Sequence, residues 1–276
     1  MKKLSFLFVL ILAAVLTITG CGGQSKDNTD NVPQGNDATE KENAVLAKVE
    51  KEGKLLVGTE GTYPPFTFHD DNGELTGFDV EIAKEVAKRL GVEAEFKETQ
   101  WDAMFAGLDA KRFDMIANQV GIKPEREEKY AFSNPYITST AVLIAHEDND
   151  EVKGFEDLKN KKAAQSMTSN YADMAREQGA EIVGVDGFNQ AIELLLSKRA
   201  DVTINENLSF LDFKKAKPEA KVKIVAESPD ASQSGLMFRK DSETLVEAVN
   251  GALADMIADG TYDKISIKWF GENVLE

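Results

Sequence analysis

From Lys54 to Ala117 the chain alternates short apolar runs with helical patterns, and this alternation limits the fold more than any other feature. Lys54–Gly58 (KLLVG) reads as a strand. Phe78, Ile82, Val86 and Leu90 then recur every four residues, with Ala83 and Ala87 widening the same face, which is the apolar stripe of an amphipathic helix. Thr76 or Asp79 suits its start and Gly91 its end. Ala94–Lys97 is a second strand, Thr99–Asp102 opens a second helix, and Met115–Ala117 is a third strand. Strands separated by helices in this way predict an α/β fold with a largely parallel sheet. A second series follows, with strands at Thr140–Ala145, Ala163–Ser166, Glu181–Val185, Asp201–Ile204 and Lys221–Ala226. The polar stretch Glu227–Ser234 reads as a loop. At 276 residues the chain can supply two separate cores.

In α/β proteins ligands sit beyond the carboxyl ends of strands, so the residues there are the first candidates. The third strand ends in polar Asn118 and Gln119, and Lys123-Pro124-Glu125-Arg126 follows as the first turn of a short helix, a position proline tolerates. The planar guanidinium of Arg126 matches a carboxylate in a bidentate manner; the plainer alternative is a solvated Arg paired with Glu125 or Glu127. The strand at 201–204 ends in Asn205-Glu206-Asn207, where Glu206 is either an acceptor for an ammonium group or a solvated residue at a helix start. Ser169 or Asn170 caps the helix that follows, and the amides of that turn form a ready anion site. In the loop Thr59–Phe66, Pro64 and Pro65 hold Tyr63 and Phe66 in place. Trp101 fits either the core or the wall of a cleft.

Several function classes are excluded by composition. A net charge of −16 opposes nucleic-acid binding, which needs a basic face. The two histidines, His69 and His146, stand in polar loops away from any Cys, so no metal cluster is expected. No glycine-rich phosphate loop or serine nucleophile elbow is present. No cofactor is therefore expected.

The N-terminus predicts the location. Lys2 and Lys3 precede an apolar run, Leu4–Ile18, and Thr19-Gly20-Cys21 follows. This is a signal peptide over residues 1–20, too short to be a comfortable membrane span. Its Gly-Cys ending resembles a bacterial lipobox, which implies lipidation of Cys21. Cys21 is the single cysteine, so no internal disulfide can form. Residues 22–43 are rich in Gly, Ser, Asn, Asp and Pro and predict a flexible tether.

Ordered motifs across residues 45–271 resemble one family, the extracytoplasmic solute-binding proteins of polar amino-acid ABC transporters. They are Gly58-Thr59 through Tyr63-Pro64-Pro65-Phe66, Gly77-Phe78-Asp79-Val80, Trp101-Asp102, Lys123-Pro124-Glu125-Arg126, Phe132-Ser133-Asn134-Pro135-Tyr136, and Gly260-Thr261-Tyr262 through Lys268-Trp269-Phe270-Gly271. The resemblance implies a two-lobed periplasmic-binding-protein type II fold, each lobe a mixed, mostly parallel sheet flanked by helices, with two hinge crossings. One lobe would be 44–141 plus 238–276 and the other 142–237, with crossings near Ala141–Ala145 and Leu236–Phe238.

The resemblance also implies roles. Arg126 would hold the α-carboxylate of an amino acid, with help from the turn at Ser169 and Asn170. Glu206, in the place of the family's Asp and one methylene longer, would hold the α-ammonium. Gln119 and Gly121 would hydrogen-bond those same groups, although Gly121 lacks the Ser or Thr side chain found in many members. Tyr63, Phe66 and Trp101 would wall the side chain, and Glu60 would approach its distal end. Met167–Asp173 and Thr203–Leu208 look most like the cystine-binding branch; glutamine, arginine and histidine are alternatives, as is a periplasmic dehydratase on the same scaffold. The implied partners are an amino acid, an ABC permease with its ATPase, and the membrane through Cys21. The implied protein is a monomer lipid-anchored on the extracytoplasmic face of the cell membrane.

Overall fold

The computed structural model of the protein describes Asp37–Leu275, with side chains from Ala44 onward. The signal segment 1–20, Cys21 and the tether up to residue 36 lie outside the described residues. The last part of the expected tether is helical, because α1 runs over Asp37–Glu52. Its Val45 and Val49 are buried, which anchors the helix on the first core.

In chain order there follow β1 (Lys54–Thr59), β2 (Thr62–Tyr63), β3 (Thr67–His69), β4 (Leu75–Thr76), α2 (Phe78–Arg89), β5 (Glu93–Glu98), α3 (Trp101–Asp109), β6 (Met115–Ile116), α4 (Pro124–Glu127) and β7 (Tyr130–Phe132). The long β8 (Ile137–His146) opens the second series, with β9 (Lys162–Gln165), α5 (Asn170–Glu177), β10 (Glu181–Gly184), α6 (Phe188–Leu196), β11 (Val202–Glu206), α7 (Asn207–Ala216) and β12 (Val222–Ser234). The chain closes with β13 (Met237–Arg239), α8 (Glu243–Ala258) and α9 (Thr261–Phe270).

Two mixed sheets result, ordered β5-β1-β6-β13-β7 and β10-β9-β11-β8-β12, with a small sheet β2-β3-β4 beside the first. In each large sheet the side made of the first-listed strands is parallel, and the strands around β13 and β8 are antiparallel. The parallel share is therefore smaller than the strand–helix alternation suggests. The antiparallel strands are those by which the chain enters and leaves the second lobe.

Sheet membership moves the expected boundaries. β8 pairs within the second sheet from Ile137 onward, and β13 pairs within the first from Met237 onward. The chain thus passes between the sheets at residues 133–136 and 235–236, ahead of the 141/142 and 237/238 boundaries. The cause is β12: its segment Ala231–Ser234, polar and loop-like in sequence, pairs with Ile137–Thr140 and draws that segment into the second sheet. Each large sheet carries apolar side chains on both faces. Phe78, Val86, Tyr136 and Phe238 lie in one core of the first lobe, and Met104, Leu108 and Phe113 in the other. Phe188, Leu195 and Phe210 lie on one side of the second sheet, and Leu143, Leu158 and Ala175 on the other. Burial of this kind on both faces is what the near-continuous apolar runs of parallel strands demand.

Among the described residues no helix is long and apolar enough to cross a membrane, and no group of His, Cys, Asp and Glu is placed to hold a metal ion.

Candidate ligand-binding cleft

The carboxyl ends of four strands converge on one cleft. β1 leads to Glu60, β6 to Asn118 and Gln119, β9 to Gln165 and Ser166, and β11 ends on Glu206. With the lobes in contact, the cavity it encloses has a volume of about 60 Å³. Of the residues expected from the sequence, Glu60, Tyr63, Trp101, Gln119, Ser169, Asn170 and Glu206 line it. Trp101 satisfies both of its readings, since it packs in the core with Met104 and Leu108 while also lining the cleft.

Phe66, Gly121 and Arg126 stand elsewhere. Phe66 is fully buried and packs beneath Tyr63, with ring centroids 5.1 Å apart, so it supports the wall of the cleft and does not form it. Gly121 bridges Ser234, and its carbonyl accepts from Arg126 Nη1 at 3.0 Å. Arg126 lies behind the cleft lining, its guanidinium over the rings of Trp101 and Phe105 at 5.6 and 5.5 Å. Its Nη2 donates to Asn170 Oδ1 at 3.5 Å. Neither Glu125 nor Glu127 pairs with it, and it has no ion-pair partner among the described residues. Burial works against its charge.

The two carboxylates of the cleft are held separately. Glu206 accepts from the hydroxyls of Ser139 and Tyr171, and burial raises its pKa. Glu60 is paired with Asn118, whose Nδ2 donates to Oε2 at 2.6 Å while its Oδ1 accepts from the Glu60 amide at 2.8 Å. Burial lifts the Glu60 pKa to about 7. Neither carboxylate forms an ion pair among the described residues. The cleft therefore offers two desolvated carboxylates with an unpaired guanidinium close behind, a charge pattern that a ligand with both signs would neutralise.

Ser169 caps α5, as its position suggests, with Oγ accepting from the Ala172 amide at 3.1 Å. Asn118, Gln165, Tyr171, Gly187, Thr203 and Asn205 also line the cleft; Tyr171, Thr203 and Asn205 fall within the stretches that resemble the cystine-binding branch, and the other three carry no motif of their own. The one sequence signal for most of them was position, directly at or after a strand's carboxyl end. At Gly187, before α6, a Cβ would meet Glu60 Oε1 across the cleft at an ordinary contact distance of 3.6 Å.

The lobes meet over this cleft. Tyr63 donates to Asn205 Oδ1 at 2.6 Å, Ser209 Oγ to the Pro64 carbonyl at 3.0 Å, and Asn189 Nδ2 to the Thr62 carbonyl at 3.3 Å. Asp102, at the start of α3, accepts from the amides of Met167 and Thr168 at 3.1 and 3.0 Å. Two sheets facing one cleft across such contacts define a two-lobed binding protein.

The chain belongs to the bacterial extracellular solute-binding proteins, family 3, whose sequence pattern matches residues 55–272. It is 48% identical to the L-cystine-binding protein TcyA of Bacillus subtilis over 276 residues, which is 99% of this chain and 98% of that protein. Among solved structures it is similar to the L-cystine solute receptor of Neisseria gonorrhoeae in the unliganded open conformation, at 46% identity and a TM-score of 0.56, covering 84% and 99% of the two chains. An ancestral arginine-binding protein bound to arginine gives 39% identity and a higher TM-score, 0.75, over 79% and 99%. Likeness in shape is thus greater to the ligand-bound protein than to the more identical open one. In this structure the lobes touch across the cleft.

Proposed function

We propose that this protein is the L-cystine receptor of an amino-acid ABC importer. The observation that carries the reading is the 48% identity, over nearly the whole of both chains, to a protein named for L-cystine binding. The charge pattern of the cleft supports it. Cystine carries two ammonium and two carboxylate groups joined through a disulfide. Glu206 and Glu60 would take the two ammonium groups, Arg126 a carboxylate together with the turn at Ser169 and Asn170, and Tyr63 and Trp101 the apolar centre. Binding closes the lobes because the ligand bridges both, and exclusion of water strengthens each charged contact.

In this reading Cys21 carries the lipid that holds the protein at the extracytoplasmic face of the cell membrane, and the closed monomer delivers its cargo to a permease driven by an ATPase. The protein binds and does not convert its ligand.

Calorimetry on the chain from Lys26 onward tests the reading with L-cystine, arginine, glutamine and histidine. L-cystine is expected to bind far more tightly than millimolar, and tighter than the others. Affinity no better than about 1 mM, roughly −4 kcal/mol, for all four would reject an amino-acid receptor. Tighter binding of arginine would transfer the site to a cationic amino acid. Mass spectrometry of ligand released from freshly purified, denatured protein gives an independent identification, and turnover of prephenate or arogenate would point instead to a dehydratase.

A further inference from the structure

Asp79 is a fully buried carboxylate in the first turn of α2. Its Oδ2 accepts from the backbone amide of Gln119 at 2.8 Å, and its Oδ1 from the side-chain Nε2 of the same residue at 2.7 Å. The second proton of Nε2 is directed at the Tyr136 hydroxyl, 3.4 Å away, and that hydroxyl itself bonds Asp79. Gln119 stands at φ 53, a left-handed conformation unusual for a residue with a side chain. Both of its nitrogens are thus committed to one carboxylate, 40 positions earlier in the chain.

A glutamine amide has two faces of opposite polarity, and which one meets a site is set by its partners. An ionised carboxylate only accepts, so it must face Nε2. Gln119 Oε1 is left buried and without a hydrogen-bond partner, on a residue that lines the cleft. Such an atom is a strong demand for a donor. An amino-acid zwitterion brings N–H donors to its α-ammonium.

We propose that Asp79 is a positioning residue for ligand binding: by holding both nitrogens of Gln119 it turns Oε1 toward the cleft as an acceptor for an ammonium group of the ligand. This rests on the amino-acid reading of the site. Asp79 touches no ligand; it sets the polarity of the residue that does.

The test is Asp79→Asn at pH 8, where the native carboxylate is ionised. The introduced amide can accept from the Gln119 backbone only by turning its own NH₂ toward the Gln119 side chain. That amide then flips and presents Nε2 to the cleft, donor against donor. L-cystine affinity is expected to fall about ten- to hundredfold, the size of a lost charged hydrogen bond. In a Gln119→Ala background, Asp79→Asn should change affinity less than about twofold, because no amide remains to be turned. A loss of the same size in that background would mean a structural role and overturn the proposal. Asp79→Asn combined with Gln119→Glu should recover most of the affinity, since the introduced carboxylate accepts from the introduced amide and still offers an oxygen to the cleft; no recovery would count against the proposal. NMR of the wild-type protein without ligand decides the clamp even if the variants do not fold. The Gln119 side-chain amide protons should exchange slowly and show contacts to the Tyr136 ring, and rapid exchange would overturn the proposal. A wild type that binds no amino acid refutes the functional reading, while this NMR result still decides the clamp.

Discussion

Thr168 donates to the carboxylate of Asp102 twice across the cleft, from its amide at 3.0 Å and its hydroxyl at 2.8 Å. One residue opens α3 of the first lobe and the other precedes α5 of the second. Neither lines the cleft, so their contact depends on closure and not on the identity of the ligand.

Asp102→Ala should therefore weaken binding of every ligand alike. The pair is solvent-exposed, which limits its worth to about 1 kcal/mol, or roughly fivefold in affinity. Calorimetry should show the loss, and small-angle scattering of the ligand-free variant should show a larger radius of gyration. A loss confined to one amino acid would instead place Asp102 in recognition.

Arg126→Ala separates binding from folding. Arg126 forms no ion pair among the described residues, so removal of its charge leaves no buried carboxylate stranded, and stability should fall by the packing lost against Trp101 and Phe105 and by the hydrogen bonds lost to Gly121 and Asn170. Affinity for an amino acid should fall by about 2–5 kcal/mol, the cost of stripping one partner from a desolvated charge pair. Arg126→Lys should recover only part, because an ammonium cannot form the planar two-point contact. Unchanged affinity in the alanine variant would remove Arg126 from the site.

The pH profile of binding should report Glu60. Burial places its pKa at about 7, so it is protonated and neutral below that value and charged above it. A cationic ligand group needs the charged form. Affinity should rise as pH increases from about 5.5 to 8, approaching tenfold per unit on the acid side, and binding near pH 6.5 should release protons, seen as a buffer-dependent heat. Glu60→Gln should flatten the part of the profile that belongs to this residue. A profile unaltered by that change would show that no cation approaches Glu60.

Gly121→Ser should be tolerated. A Cβ at Gly121 would meet only Arg126 Nη1, at an ordinary 3.6 Å, so stability should change by no more than about 0.5 kcal/mol. The added hydroxyl stands beside the guanidinium and supplies a donor for a carboxylate held there. Affinity should tighten by about 1 kcal/mol, measured by calorimetry beside the parent protein. Weaker binding would mean that the carboxylate lies closer to Gly121 than this space allows.

Much of the fold was legible in the sequence because it rests on local pattern. The four-residue recurrence from Phe78 to Val86 becomes a buried helix face, and Pro124 begins α4. The failures share a cause. Ala231–Ser234 carries no apolar alternation, since β12 is the edge strand of the second sheet, with β8 as its one partner there and Gly121 and Ile122 meeting its end. Asp79 has the residue type of a helix cap, but Gly77 occupies that position, where a Cβ would lie 2.2 Å from the Phe66 carbonyl. Phe66 follows two prolines in an aromatic loop that suggests a cleft wall, yet the second aromatic of such a loop can turn into the core as readily as out of it.

The sequence by itself determined the α/β class, the strand ends where polar side chains collect, and the oppositely charged residues Arg126 and Glu206. Those properties are written in residue type and spacing. Only the tertiary structure decided which of these residues share a cleft, that Asn118 holds Glu60, and that Asp79 holds Gln119. Contacts of that kind join positions about 40 to 140 residues apart, and nothing in local spacing encodes a partner so distant. It is the packing of two sheets around separate cores that brings these side chains within hydrogen-bonding reach.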